Sequence, residues 1–268
     1  MQKLNKIASE NLAKIREKKP LIHNITNFVV MNFTANTLLS MGASPVMAHA
    51  PNEVEEMVGF AGALVLNIGT LTDDWIKSMI LAGIKASELK IPIVLDPVGA
   101  GATALRTDSA KRIIDETDIS VVRGNASEIL SLGNKDSKTK GVDSIHSVDD
   151  AAESASILAR KLATTLAITG PSDFVTDGDR VIHIENGHPL MGTVTGTGCA
   201  ATSVIGAFLA VNKDPVHATA AALAYYGFAG EIAAEKASSP GSFMVALIDA
   251  LYEITPEMLE KGSRIITE

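Results

Sequence analysis

The chain has 268 residues, with 23 basic against 31 acidic side chains and a formal net charge of −8. A domain of this length, with a radius of gyration of roughly 18 Å, buries about three-quarters of its unfolded surface and needs no disulfide, which a lone cysteine could not supply. The acidic balance argues against a general nucleic-acid binder and against a polybasic membrane anchor, and one Cys beside nine Met fits a reducing, cytoplasmic compartment.

Residues 1–19 carry charges throughout and predict an amphipathic helix with Leu4, Ile7, Leu12 and Ile15 on one side, which is not the layout of a signal peptide. Residues 20–52 contain no Asp, Glu, Lys or Arg. Asn24, Asn27, Asn32, Asn36 and Pro45 interrupt this stretch, so it is not a spanning helix. It reads equally as a buried helix or as the wall of a pocket or subunit interface. Next come short apolar, β-branched runs at 63–68, 91–95, 119–122 and 165–169. They do not alternate with polar residues, which predicts parallel strands buried on both faces. Helices separate them: one over 72–90, with Thr72 as N-cap and Ile76, Ile80, Ala82 and Ile84 as its stripe, and one over 149–162 after a loop-like stretch at 134–148. Residues 173–176 and 181–185, joined through Asp177-Gly178-Asp179, predict a hairpin. From there the pattern is helical, over 198–211, 215–237 and 243–252, with a last helix opening at Thr255-Pro256-Glu257. The 36 alanines predict closely approaching backbones. With no linker or repeat, residues 1–268 read as one α/β domain.

Each buried run ends in a polar or glycine-rich turn, and ligands of open parallel sheets bind outside the carboxyl ends of the strands. These turns hold Asp96, Arg123 and Thr169, an assortment that suits an anionic ligand with a metal. Gly196-Thr197-Gly198-Cys199 precedes a helix of small residues, where free N–H groups and the dipole favour phosphate, although an ordinary glycine loop also fits. Gly99 to Ala104 and Gly196 to Ala201 both have the form G-x-G-x-x-A. A dinucleotide site also wants an acidic residue near the end of the next strand. After the first motif that strand starts at Asp118 and ends at Arg123, so the signal is weak. Asn125 and Glu128 have capping-box spacing, or Glu128 is a carboxylate aimed at a metal-bound water. Asp96 is a turn former before Pro97, or a second such carboxylate. Arg123 is a phosphate clamp or a surface ion pair. The six histidines lack metal-ligand spacing, and no zinc-protease, serine-hydrolase or P-loop motif is present.

Four segments taken together closely resemble hydroxyethylthiazole kinases: PLIHNITNFVVMNFTANTLLSMGASPV (20–46), LDPVGAGAT (95–103), RGNASE (123–128) and TGTGC (195–199). The resemblance covers roughly residues 20–243 and implies a ribokinase-like three-layer sandwich with a mostly parallel central sheet. It implies ATP- and Mg²⁺-dependent phosphorylation of the hydroxyl of 4-methyl-5-(2-hydroxyethyl)thiazole, in thiamine salvage. By the same resemblance Arg123, Thr169 and Gly198 bind ATP, and Asp96 and Glu128 organise Mg²⁺ through waters. Met47, Gly196 and Asn27 contact the thiazole, and Cys199 lies beside the reacting hydroxyl, where the wider superfamily carries an Asp base. The family pattern is a homotrimer with sites between subunits and no nucleic-acid or membrane partner. A helix start lowers a thiol pKa and nearby phosphates raise it, so Cys199 is an uncertain base. An NAD-dependent dehydrogenase and a non-catalytic ligand-binding protein are the alternatives. Binding of ATP against NAD, and ADP release, separate them.

Overall fold

The computed structural model describes residues 2–133 and 148–267, and all of the predicted loop over 134–148 except Val148, which opens a helix, lies outside them. In chain order the strands are β1 (Leu21–Ile25), β2 (Ser44–Val46), β3 (Ala63–Asn67), β4 (Ile93–Asp96), β5 (Val121–Gly124), β6 (Thr165–Ile168), β7 (Asp173–Thr176), β8 (Val181–Ile184) and β9 (Ile265–Thr267). They form one sheet in the order β2-β1-β3-β4-β5-β6-β7-β8-β9. Pairing is parallel from β2 through β6 and antiparallel from β6 to β9. The carboxyl ends of β1 to β6 therefore share one rim.

The helices are α1 (Gln2–Lys18), α2 (Met31–Met41), α3 (Val54–Val58), α4 (Asp73–Leu89), α5 (Ala104–Glu116), α6 (Ala126–Gly133), α7 (Val148–Leu162), α8 (Thr197–Leu209), α9 (Pro215–Lys236), α10 (Pro240–Glu253) and α11 (Pro256–Gly262). Alternate residues of a strand point to opposite faces, and β3 shows the division. Ala63 and Val65 join the core under α1, α2 and α8 to α11, whereas Leu64 and Leu66 join the core under α3 to α7. The result is the expected three-layer α/β/α sandwich. The alanine-rich reading is realised on the first face: a Cβ at Gly206 of α8 would lie 2.8 Å from the Val65 side chain, and α9 buries Ala218, Ala220, Ala221, Ala222 and Ala224.

The strands at 63–68, 91–95, 119–122 and 165–169, the hairpin and the late helices are where the pattern put them, within a few residues. Thr72 caps α4 by accepting from the Trp75 N–H at 3.2 Å, and Thr255 caps α11 with Pro256 behind it. The reading of 20–52 as one buried helix is corrected: the stretch holds β1, α2 and β2. Within β1 the lack of charge has a simple cause, since the strand is paired on both sides and its Asn24 is spent on Ser203 Oγ and the Ile22 carbonyl, both at 2.8 Å. Gly42, at φ +101°, then stops α2 in the left-handed conformation.

Candidate active site

Asp96 ends β4 and is 1% exposed. Its Oδ2 accepts from Asn67 Nδ2 at 2.9 Å and Thr202 Oγ1 at 2.8 Å, and lies 3.7 Å from Arg123. Its Oδ1 is buried with no hydrogen-bond partner. Burial pushes the carboxyl up to about 6, against the pull of the Arg123 charge and the two donors. Arg123, near the end of β5, donates to Thr169 Oγ1 and keeps its Nε buried without a partner. It is therefore not in a surface ion pair; its guanidinium packs against the first turn of α8. A Cβ at Gly198 would lie 2.9 Å from its Nη1, so this position has to be bare.

Glu128 does what its spacing alone suggests. Asn125 N–H donates to its Oε2 and Glu128 N–H donates to Asn125 Oδ1, both at 2.9 Å, which completes the capping box of α6. The carboxylate also reaches across the rim, where its Oε1 accepts the Gly99 N–H at 2.8 Å. That amide, in the glycine turn after β4, is thereby turned to Glu128 and not to a pyrophosphate, which removes the main support for the dinucleotide reading. Among the described residues no three His, Cys, Asp or Glu side chains cluster as a metal cage. The orphaned Asp96 Oδ1 with Glu128 across the rim instead fits an ion that keeps its own waters, as Mg²⁺ does.

Gly196 caps α8 at φ +90°, and a Cβ there would lie 2.9 Å from Val30. Cys199 sits in the first turn of that helix and receives Asn27 Nδ2 at 3.5 Å. The expectation that the helix start lowers its pKa is corrected. Burial pushes the thiol up, the neighbouring Asp96 charge pushes it further, and the amides of Asn67 and Asn27 and the Arg123 charge offset this only in part.

Asn27 is central to this group, since its Nδ2 also donates to Asn67 Oδ1 at 2.8 Å. A chain of hydrogen bonds thus runs from Asn27 through Asn67 to Asp96. Met47 is half-buried just past β2 at the sheet edge, and among the described residues no hydrogen bond ties it to the group. Its loop is held by buried His23, which donates through Nε2 to the Ala48 carbonyl at 2.7 Å; burial pushes this histidine's pKa down, toward the neutral ring.

On the other side of Arg123 a cleft of about 540 Å³ opens between the ends of β5 and β6, the segment after β8, and α9. Thr169, Asp173, Asn186, Leu223, Tyr226 and Gly198 are among its walls. The motif reading missed most of these. Asp173 accepts from the Gly170 N–H at 3.0 Å and is pushed up to about 6 by burial. The Tyr226 hydroxyl is buried without a partner. Neither carries a local signal: one is the first residue of a hairpin and the other lies inside an alanine-rich helix. Thr202 was findable, as a hydroxyl one turn after the glycine motif on the helix that begins there.

The description "hydroxyethylthiazole kinase family" matches residues 12–257 of the chain. A hydroxyethylthiazole kinase from Desulfotalea psychrophila is 65% identical, over 99% of this chain and 97% of that protein. One from Desulfosudis oleivorans is 55% identical, over 94% and 93%. The solved structure of the hydroxyethylthiazole kinase protein from Pyrococcus horikoshii superposes with a TM-score of 0.91 at 46% identity, covering 98% of this chain and 99% of that one. A ribokinase-like protein from Enterococcus faecalis, at 13% identity and TM-score 0.64, covering 92% of this chain and 89% of that one, shares the fold alone. With the fold, the glycine-capped helix and the buried Asp96–Arg123 pair in place, the conclusion is that the chain belongs to the hydroxyethylthiazole kinase family.

Proposed function

We propose that this protein transfers the terminal phosphoryl group of ATP to the hydroxyl of 4-methyl-5-(2-hydroxyethyl)thiazole and releases ADP, the kinase step of thiamine salvage. The observation that carries the reading is the meeting of Arg123, the orphaned Asp96 oxygen and the amino end of α8 beside a cleft of about 540 Å³. Phosphoryl transfer asks for positioning and charge stabilisation more than for covalent chemistry. Arg123 and Thr169 hold the ATP phosphates, and the first N–H groups of α8, Gly198 among them, face the migrating group. Asp96 and Glu128 would hold Mg²⁺ through its waters, and the ion when bound neutralises phosphate charge.

Asn27, Gly196 and Met47 form the thiazole side. Cys199, kept as a thiol, positions the alcohol. A loose transition state needs little early deprotonation, so the alcohol's proton can leave late, to an oxygen of the transferred phosphoryl group, without a base at this position. Phe28 and Val29, 60% and 66% exposed next to Asn27, leave an apolar surface beside the site. They support a homotrimer whose subunits share sites, to be checked by light scattering; a fully active monomer would refute sharing. One domain over residues 1–268 and a cytoplasmic location complete the reading. Among the described residues no helix is long and apolar enough to cross a membrane.

The test is ADP release from MgATP with and without the thiazole alcohol. Release that depends on the alcohol is expected. No turnover with the alcohol present, or binding of NAD in place of ATP, overturns the proposal.

A further inference from the structure

One wall of the cleft is fixed from an unexpected place. Asn186 and Gly187, in the segment after β8, line the cleft, and the groups that hold them come from α9 and from residues past position 257, where the family match stops. Glu231 of α9 accepts through Oε1 from the Gly187 N–H at 2.8 Å and from Asn186 Nδ2 at 3.2 Å. The same carboxylate takes a two-pronged pair from Arg264, with Nη2 to Oε1 at 2.6 Å and Nη1 to Oε2 at 3.0 Å. Arg264 then grips the segment itself: its N–H donates to Asn186 Oδ1 at 2.7 Å and its carbonyl accepts the Glu185 N–H at 3.1 Å. Asn186 Nδ2 also donates to the Gly262 carbonyl at 3.0 Å. Thus three of the polar groups of Asn186 and Gly187 are committed to Glu231, Arg264 and Gly262.

The backbone geometry agrees. Gly187 stands at φ +149°, which other residues adopt only with strain. On α9, a Cβ at Gly227 would run into the Asn186 carbonyl, and one at Gly230 into the Met191 thioether. The segment therefore rests directly on the backbone of α9, with Glu231 as its anchor. The Arg264 side chain is 47% exposed and that of Glu231 22%. An ion pair so placed contributes little to global stability, so its multiple bonds to one wall of the cleft call for another explanation.

We propose that Arg264 and Glu231 are positioning residues for the nucleotide: the pair sets the place of Asn186 and Gly187, and through them the affinity of the cleft for a nucleoside triphosphate. The inference rests on reading the cleft as the ATP site. Neither residue reaches the thiazole side or the group around Asp96, so the effect is confined to one substrate.

The test compares Arg264→Met, Glu231→Gln and Arg264→Lys with the unaltered protein, measuring KM for ATP, KM for the thiazole alcohol, kcat and thermal midpoint. The expected result is a rise of roughly tenfold in KM for ATP in Arg264→Met and Glu231→Gln, with kcat and KM for the alcohol held within about twofold and only part of the loss recovered in Arg264→Lys, whose ammonium cannot make both prongs. If Arg264→Met does not fold, Glu231→Gln, which keeps an oxygen for the Gly187 N–H, carries the test. An unchanged KM for ATP in the folded variants overturns the inference. So does a fall in kcat with a rise in both KM values that follows a fall in the thermal midpoint, the mark of a purely structural pair. If the unaltered protein binds no ATP, the functional reading fails first and this inference with it.

Discussion

The two halves of the sheet rim are built in different ways. At the ends of β3, β4 and β5 the working groups are side chains buried among side chains: Asn67, Asp96 and Arg123, joined to Asn27, Thr202 and Thr169. Beyond β6 the strands turn antiparallel, and the wall of the cleft is made of turns and backbone held from behind by α9 and the residues before β9. A parallel strand end delivers one side chain at a fixed height, which suits charge that must be placed closely. A hairpin with its return segment delivers a surface, which suits a broad, flat group.

This contrast is most open to attack at Asp96. Asp96→Asn should lower turnover by about 100-fold or more, because the buried carboxylate is lost from the charged centre. The same change should raise stability at neutral pH. With the carboxyl at about 6 in the folded chain against 3.8 for an ordinary one, the folded state binds the proton more tightly. That contribution is fully present below pH 3.8 and is lost as pH rises through about 6, so ionised Asp96 costs on the order of 3 kcal/mol at pH 7 or above. Thermal melts of both proteins at pH 4 and pH 8 check this: the gain should appear at pH 8 and shrink toward zero at pH 4. A destabilised Asp96→Asn at pH 8 would show that the pairing with Arg123 outweighs the burial.

Glu128 should behave in the opposite way on stability. Its two oxygens serve two backbone donors, and a glutamine has only one oxygen to give. Glu128→Gln should lose about 1–2 kcal/mol by leaving Gly99 or Asn125 facing an amide, and should lower turnover by about tenfold if it also organises Mg²⁺. Near-normal turnover at saturating Mg²⁺ would leave it as a cap and a strut.

The smallest effect is expected at Cys199. A thiol whose pKa is raised by burial and by Asp96 is a poor base, so Cys199→Ser should stay within about tenfold of the parent. Cys199→Asp should remain active. A folded, ATP-binding but inactive Cys199→Asp, in a coupled ADP assay, would mean that the sulfur itself matters.

Much of this rim was legible because it is local. A buried run followed by Asp-Pro, Arg-Gly-Asn or Thr-Gly marks a strand end on sight, and the spacing of Asn125 and Glu128 states its own cap. What was not legible depends on distant chain. Glu128 accepting from Gly99 joins two turns 29 residues apart, and Thr202 donating to Asp96 joins a helix to a strand 106 residues away. The composition of 20–52 misled because absence of charge is common to a buried helix, to a strand paired on both sides and to an exposed apolar surface such as Phe28 and Val29. β9 escaped notice because three residues carry no periodicity; it exists through its pairing with β8.

The strand order bears on synthesis. From β3 to β9 every strand lies beside the one made just before it, so a chain leaving the ribosome adds strands to one growing edge, each finding its neighbour already in place. The layer of α3 to α7 accompanies this growth, but α1 and α2 wait until α8 to α11 emerge to build the core of the other face with them. The final strand then covers β8 and leaves as the sheet's edge a strand of only three residues, too short to invite a second chain. A nascent protein of this kind assembles its charged centre early in outline, and the wall of the cleft at Asn186 and Gly187 is held only after Glu231 and Arg264 have been made.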